Sequence, residues 1–416
     1  MILSKGWKTC KFEEVARIIH GVTYKKENSS QTKNEGYVPI FRANNILNGK
    51  INCDELVYVP ETLLSTEQWV NIGDIIIVMS SGSKTHVGKT AISTKDYQCG
   101  FGAFCAKIIV SNNLYNKYLA YYFCSTFFRR YIENICKGTN INNIKRDYIL
   151  AHMIPLPPLA EQHRIVAKIE ELFAELDRGI AGLEKAKAQL KTYRQAVLKG
   201  AFPTTCTYAP LGEYAEMCLG KMLDKSKNQG SLQPYLRNIN VRWFSVDLSD
   251  ILEMRFEDRD DERYNIVNGD LVICEGGEPG RCAIWKFDYP IKIQKALHRV
   301  RTNSSLNATY LMYYLRYLSH TNDITKYFTG TTIKHLTGQS LKKIRIPIVD
   351  INKQQQIVSA IESRLSISDS LEKTIDSSLK NADLLRMSIL KKAFAGELVG
   401  QDPADAPSLI LSKENT

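Results

Sequence analysis

At 416 residues, with 44% apolar and 24% charged residues, the chain is too long for one ordinary core and too apolar to be disordered, so two globular domains are the starting expectation. Lys and Arg number 55 against 44 Asp and Glu, a net charge of +11 that suits a polyanionic partner. No run approaches the roughly 18–20 apolar residues of a membrane span, the opening MILSKGWKTCKFEEV lacks a signal-peptide core, and the 10 cysteines include no Cys-x-x-Cys, which excludes zinc-ribbon and thioredoxin-like sites and fits a reduced cytoplasm.

In chain order, short apolar runs separated by Gly, Asn and Ser loops predict β structure at Ile75 to Met79 and Phe104 to Val110. The aromatic stretch Tyr118 to Tyr131 predicts a helix, and the polar segment Lys137 to Ile141 a loop. Pro155, Pro157 and Pro158 then precede a predicted long helix from Glu161 to Phe202, closed by Pro203. Its apolar positions include Ile165, Ile169, Leu172, Leu176, Leu183 and Leu190, spaced alternately by three and four as in a coiled-coil seam. Further on, Leu271 to Cys274 predicts a strand, Tyr310 to Tyr327 a helix, and Thr329 to Ile333 a loop. A second long helix follows, with seam positions Ile357, Ile361, Leu371, Ile375, Leu385 and Ile389. Each helix, at about 40 residues, is on the order of 60 Å long. So long and narrow a stripe needs a partner, and the simplest is an antiparallel pairing of the two helices.

These elements form an internal repeat. Tyr118–Tyr122 recurs as Tyr310–Tyr314, a shift of 192 that also carries Gly138 to Gly330, Ile154–Pro155 to Ile346–Pro347, Gln162 to Gln354, Ile169–Glu170 to Ile361–Glu362 and Phe202 to Phe394 without a gap. Upstream, Pro39–Arg42 lies over Pro234–Arg237, Gly73–Asp74 over Gly269–Asp270, and Gly88 with Ala91–Ile92 over Gly280 with Ala283–Ile284. The loops between these anchors differ. The expected architecture is therefore α+β: a first domain over 1–155, a long helix over 156–203, a second domain over 204–347, a second long helix over 348–400 and a tail over 401–416, the helices pairing as an antiparallel coiled coil.

The strongest enzymatic signal is the run from Ile75 to Thr90, an apolar strand and a polar loop ending in Gly88-Lys89-Thr90, which resembles a P-loop. The pattern needs a glycine where Ser83 stands, and the duplicate Glu275–Arg281 has acidic residues and no Gly-Lys-Thr. Among the 7 histidines, His152, His163, His298, His320 and His335 show no metal spacing and read as loop or surface residues. No nucleophile or methyltransferase motif is present, Asp74 and Asp270 read as caps of a turn before a strand, and neither a catalytic residue nor a metal is expected.

Binding remains. Duplex DNA offers phosphates to Lys, Arg, Ser and Thr, and base edges to Arg, Asn and Lys. In the first copy the residues of that kind in the variable loops are Arg42, Asn44, Asn45, Ser81, Lys84, His86, Lys89, Thr139, Asn140 and Lys145. In the second they are Arg237, Asn238, Asn240, Arg281, Lys292, Lys295, Arg299, Thr331, Thr332 and Lys334. The alternative from another class is a coiled-coil scaffold that binds protein partners only.

Two variable domains, each leading through an entry such as Ile154-Pro-Leu-Pro-Pro-Leu-Ala-Glu-Gln162 into a long helix closed by Leu-Lys-x-Ala-Phe, resemble the specificity subunits of type I restriction-modification systems. The second entry, Ile346 to Gln354, departs by lacking the second and third prolines. The resemblance implies a non-catalytic subunit. Its two target recognition domains would read a bipartite, asymmetric site in the major groove, and its helices would fix the spacer and dock methyltransferase and restriction subunits. S-adenosylmethionine, ATP and magnesium would then belong to those partners, with no cofactor in this chain.

Overall fold

The computed structural model describes residues 6–47, 49–83, 85–137, 143–203, 205–224 and 226–405. The chain divides into two compact units, one of Met1–Gly182 with Ser377–Thr416, the other of Leu183–Asp376. Each unit therefore contains one α+β domain together with half of each long helix.

In the first unit a four-stranded antiparallel sheet runs in the order Ala16–His20, Cys105–Val110, Ile75–Val78, Thr90–Ile92. The strand Ile75–Val78 is buried on both faces, which is why it is apolar throughout instead of alternating. Ile75 and Ile77 pack toward Tyr118, Leu119 and Phe123, whereas Ile76 and Val78 meet Phe41, Ile46 and Phe101. A second sheet pairs Val57–Pro60 with Tyr37–Phe41, and Gly100–Phe101 joins in parallel. Lys8–Lys11 pairs with Met153–Leu156 at the point where the chain leaves for the long helix.

The second unit repeats this plan. Its main sheet has the order Ala215–Leu219, Leu297–Thr302, Leu271–Cys274, Cys282–Ile284. The second sheet holds Leu252–Phe256, Ser231–Leu236, Ile291–Ile293 and Asn265–Ile266. The aromatic helices differ from the expectation. The first is two helices, Asn116–Cys124 and Thr126–Lys137, parted where Ser125 turns extended at ψ 159°. The second stops at His320, because Asn322 is left-handed at φ 61° and starts a 3₁₀ turn over Asp323–Tyr327.

The long helices span Leu159–Ala201 and Ile351–Ala395. Their starts are fixed by the same device in both units. The buried Gln162 accepts from the Tyr115 amide at 2.8 Å and donates to the carbonyls of Asn113 and Pro157, and Gln354 does the same with Asn307, Ser305 and Val349. Tyr118 and Tyr310 donate to the carbonyls of Pro155 and Pro347 at 3.0 and 3.1 Å.

Helix pairing is antiparallel. In the second unit Lys187 meets Asp376 at 2.6 Å, and seven residues on, Arg194 meets Asp369, seven residues back, at 2.7 Å. In the first unit Arg386 pairs with Asp177 and lies 4.8 Å over the Phe173 ring. Ile165, Ile169 and Ile389 are buried in the core of the first unit and Ile357 and Ile361 in that of the second; Ile375 is buried, and Leu172, Leu176, Leu183 and Leu190 are half-buried. The seam of the second helix runs one residue away from the expected phase at every other step. Leu371 and Leu385 are 50% exposed, and the seam places are taken by Glu372 and Arg386, whose charges are neutralised across the pair.

Candidate nucleic-acid interface

In each domain variable segments converge at one end of the main sheet. In the first, the chain leaves Val78 through Ser80–Lys89 and returns as the strand Thr90–Ile92. Ser80 makes a bridge to Asn143, and the Ile144 amide donates to the Met79 carbonyl at 2.8 Å, which brings Lys145 and Arg146 alongside. In the second, the loop Glu275–Arg281 occupies the same place. The Leu336 amide donates to the Glu275 carbonyl at 2.7 Å, so the segment Thr329–His335 lies beside it. Asn238 donates to the Gly276 carbonyl at 2.6 Å, and the Glu275 amide donates to Ala296, next to Lys295.

This geometry removes the P-loop reading. A P-loop needs a helix after the loop, with its N-terminal amides turned to phosphate. Here Thr90 opens a strand and is buried, and Gly88, at φ +74°, has its Cα side against Ile132. Burial, together with the Arg129 guanidinium, holds the Lys89 ammonium below its ordinary pKa. Among the described residues no three His, Cys, Asp or Glu side chains are grouped to hold a metal, and no helix is long and apolar enough to cross a membrane.

Several of the residues selected from sequence prove to be internal. Asn45 and Asn240 are buried and close matching turns. Each accepts from the backbone of the arginine three residues earlier at 2.8 Å and donates to two loop carbonyls. Lys292 is 2% exposed, pairs with Asp261 and sits over the Phe256 ring. Arg299 is 3% exposed and is consumed by Glu216, Glu262 and Asn265. Burial, with hydrogen bonds and ion pairs to other parts of the chain, takes these four out of reach of a duplex. A sequence signal for Arg299 exists, because the 192-residue shift places it on Lys107, inside the strand Cys105–Val110 and itself buried against Asp74.

Others are partly committed. Arg42 donates to the Glu55 carbonyl and lines an open polar cavity of about 630 Å³ with Gln31, Cys53 and Tyr58. Its counterpart Arg237 is held by Asp250 at 2.6 Å. Arg281 is shared between Glu278 and the Asn238 carbonyl. Asn44, Lys145, Lys295, Thr331, Thr332 and Lys334 are exposed, and Ser81, His86 and Lys89 half-buried. Lys84, Thr139 and Asn140 lie outside the described residues.

Asp74 and Asp270 do cap turns, accepting from the amides of Asn71 and Val267 at 2.8 and 2.9 Å. Two histidines are not surface residues. His298 is 1% exposed and contacts the Leu336 carbonyl, and His152 meets the Tyr122 hydroxyl at 2.8 Å, where burial pushes its pKa down to about 4. Sequence reasoning also overlooked Arg129, which donates to the Val87 carbonyl under the first loop, whereas Glu278, one of the acidic residues of the second loop, accepts from Trp243 at 2.6 Å and ties that loop down.

The model of the type I restriction modification DNA specificity domain matches residues 4–185 and again 212–381. The type I restriction enzyme EcoKI specificity subunit of Escherichia coli (strain K12) is 32% identical, over 100% of this chain and 94% of that protein. Among solved structures, a chain from a study of complex assembly and conformational transition in the type I R-M system has a TM-score of 0.72 at 20% identity, covering 95% of this chain and 100% of its own. The HsdS subunit from Thermoanaerobacter tengcongensis has a TM-score of 0.62, also at 20% identity, covering 95% and 98%.

Proposed function

The chain belongs to the type I restriction-modification DNA specificity family, and from that premise we propose that it reads a bipartite, asymmetric duplex site, one half with each α+β domain, for a methyltransferase and restriction complex. The observation that carries this reading is a duplicated framework whose loops diverge at the same end of each main sheet. A shared framework presents two surfaces in the same way, and different loops give two different half-sites. In this reading Lys145, Lys295 and Lys334, exposed cations, make phosphate contacts, and the exposed Asn44, Thr331 and Thr332 read base edges.

The recognition domains extend over 1–155 and 204–347, and the helices 156–203 and 348–400 set the distance between half-sites and carry the methyltransferase subunits. Chemistry belongs to the partners, which bring S-adenosylmethionine, ATP and magnesium, and the complex works in the cytoplasm on the resident DNA.

The test is a methylome. Replacing residues 1–155 by those of a relative with a different target should change one half of the methylated motif and leave the other half and the spacer intact. A motif changed in both halves, or a chain that binds no duplex at any salt concentration, as a purely protein-binding scaffold would behave, overturns the proposal.

A further inference from the structure

Phe104 is 65% exposed, more than any other aromatic side chain among the described residues. It is not on a loose tip. The amides of Met79 and Ser80 both donate to its carbonyl, at 2.8 and 3.2 Å, and the turn beneath it is closed by the Cys105 amide on the Gly102 carbonyl. The next residue, Cys105, is already in the central sheet, paired with Val78. A rigid backbone therefore presents the ring beside Ser80, where the first variable loop departs and where the bridge to Asn143 brings in Lys145 and Arg146.

The second domain repeats the hydrogen bonds of this turn and carries a different side chain. Leu297 pairs with Cys274 as Cys105 pairs with Val78, and the Glu275 amide donates to Ala296 as the Met79 amide donates to Phe104. Ala296 is thus the counterpart of Phe104. One head carries an exposed phenyl ring on a fixed backbone at the foot of its recognition loop, and the other carries a methyl group there. A packing requirement of the shared framework would act on both copies, so it does not account for the difference.

We propose that Phe104 is a specificity-determining residue of the first head, making an apolar contact with the 5-methyl group of a thymine in its half-site; the inference rests on the DNA-reading function proposed above. The flanking cations place a duplex against this surface. On the major-groove edges of the base pairs the thymine methyl is the apolar group, whereas the other bases offer donors and acceptors that a phenyl ring cannot use. The backbone beneath the ring is already fixed, so the contact requires only the side chain itself to be ordered.

The experiment uses the full chain assembled with its methyltransferase partners and duplexes carrying the methylated motif. The half-site of the first head is made with thymine or with uracil, which lacks the methyl. The wild type should bind the uracil duplex about tenfold more weakly. Phe104→Ala should bind both duplexes with that same weakened affinity, with its melting temperature, its salt slope and its second half-site unchanged. A first half-site without thymine, a wild type indifferent to uracil, or a Phe104→Ala variant that still discriminates overturns the assignment. If the wild type binds no duplex at all, it is the DNA-reading function itself that fails.

Discussion

The side-chain oxygen of Gln162 accepts a hydrogen bond from the backbone amide of Tyr115 at 2.8 Å, while its amide nitrogen holds the carbonyls of Asn113 and Pro157. One side chain thereby joins the domain's helical layer to the first turn of the long helix. In Gln162→Leu the Tyr115 amide and the buried Pro157 carbonyl lose this side chain as a partner, and each such orphan costs about 1–3 kcal/mol. Denaturant unfolding should show a loss of at least that size, and Gln354→Leu should reproduce it. A loss below about 0.5 kcal/mol in both would mean that water replaces the side chain.

Burial holds His152 neutral with a pKa of about 4, against 6.5 for a free imidazole. The unfolded chain takes up a proton as pH falls below 6.5 and the folded chain does not, until pH nears 4. His152 therefore contributes stability that is present above pH 6.5 and is lost on acidification through that window. His152→Gln should flatten the decline of stability between pH 6.5 and 4, read from melting temperature against pH. A wild type and variant with parallel profiles would contradict it.

Exposed and buried cations should separate in a salt titration. Lys145→Ala and Lys334→Ala should each weaken duplex binding without changing the motif, and lower the slope of log affinity against log salt by about 1. Arg299→Met should leave that slope intact and lower stability instead, because Glu262 and Asn265 lose their donor. The reverse outcome would put Arg299 back at the interface.

The phase of the helix seam is open to direct measurement. Ile375 is 9% exposed and Leu371 is 50% exposed. Ile375→Ala should cost about 2 kcal/mol or more, and Leu371→Ala less than about 0.5. Equal costs would mean the seam includes both rows.

Much of this fold is legible in the sequence because the two copies solve the same packing problem. Tyr118 with Pro155 and Tyr310 with Pro347 are one contact written twice, and the ungapped shift between them follows from it. The seam phase is misread for a physical reason. Leucines at 371 and 385 look like seam residues, yet the neighbouring row is filled by Glu372 and Arg386, which reach partners only on the other helix. The same blindness affects the site. Lys292 and Arg299 have the right chemistry for phosphate, and only Asp261 and Glu216, distant in sequence, reveal that their charges are already spent. In the sequence Phe104 looks like the start of an apolar strand, because exposure is not a property that a side chain announces.

The first unit borrows its last wall from the far end of the polypeptide: Ile389, Leu390, Ala393 and Phe394 pack into the same core as Tyr118 and Tyr122. The second unit needs nothing beyond Asp376. On a ribosome the order of completion is therefore inverted. The domain made first waits, with an aromatic face uncovered, through the synthesis of more than two hundred further residues, and the domain made second is finished before it. A nascent chain of this design leaves that aromatic face uncovered for about half of its own translation, so the interval before Phe394 emerges is one of exposure to aggregation.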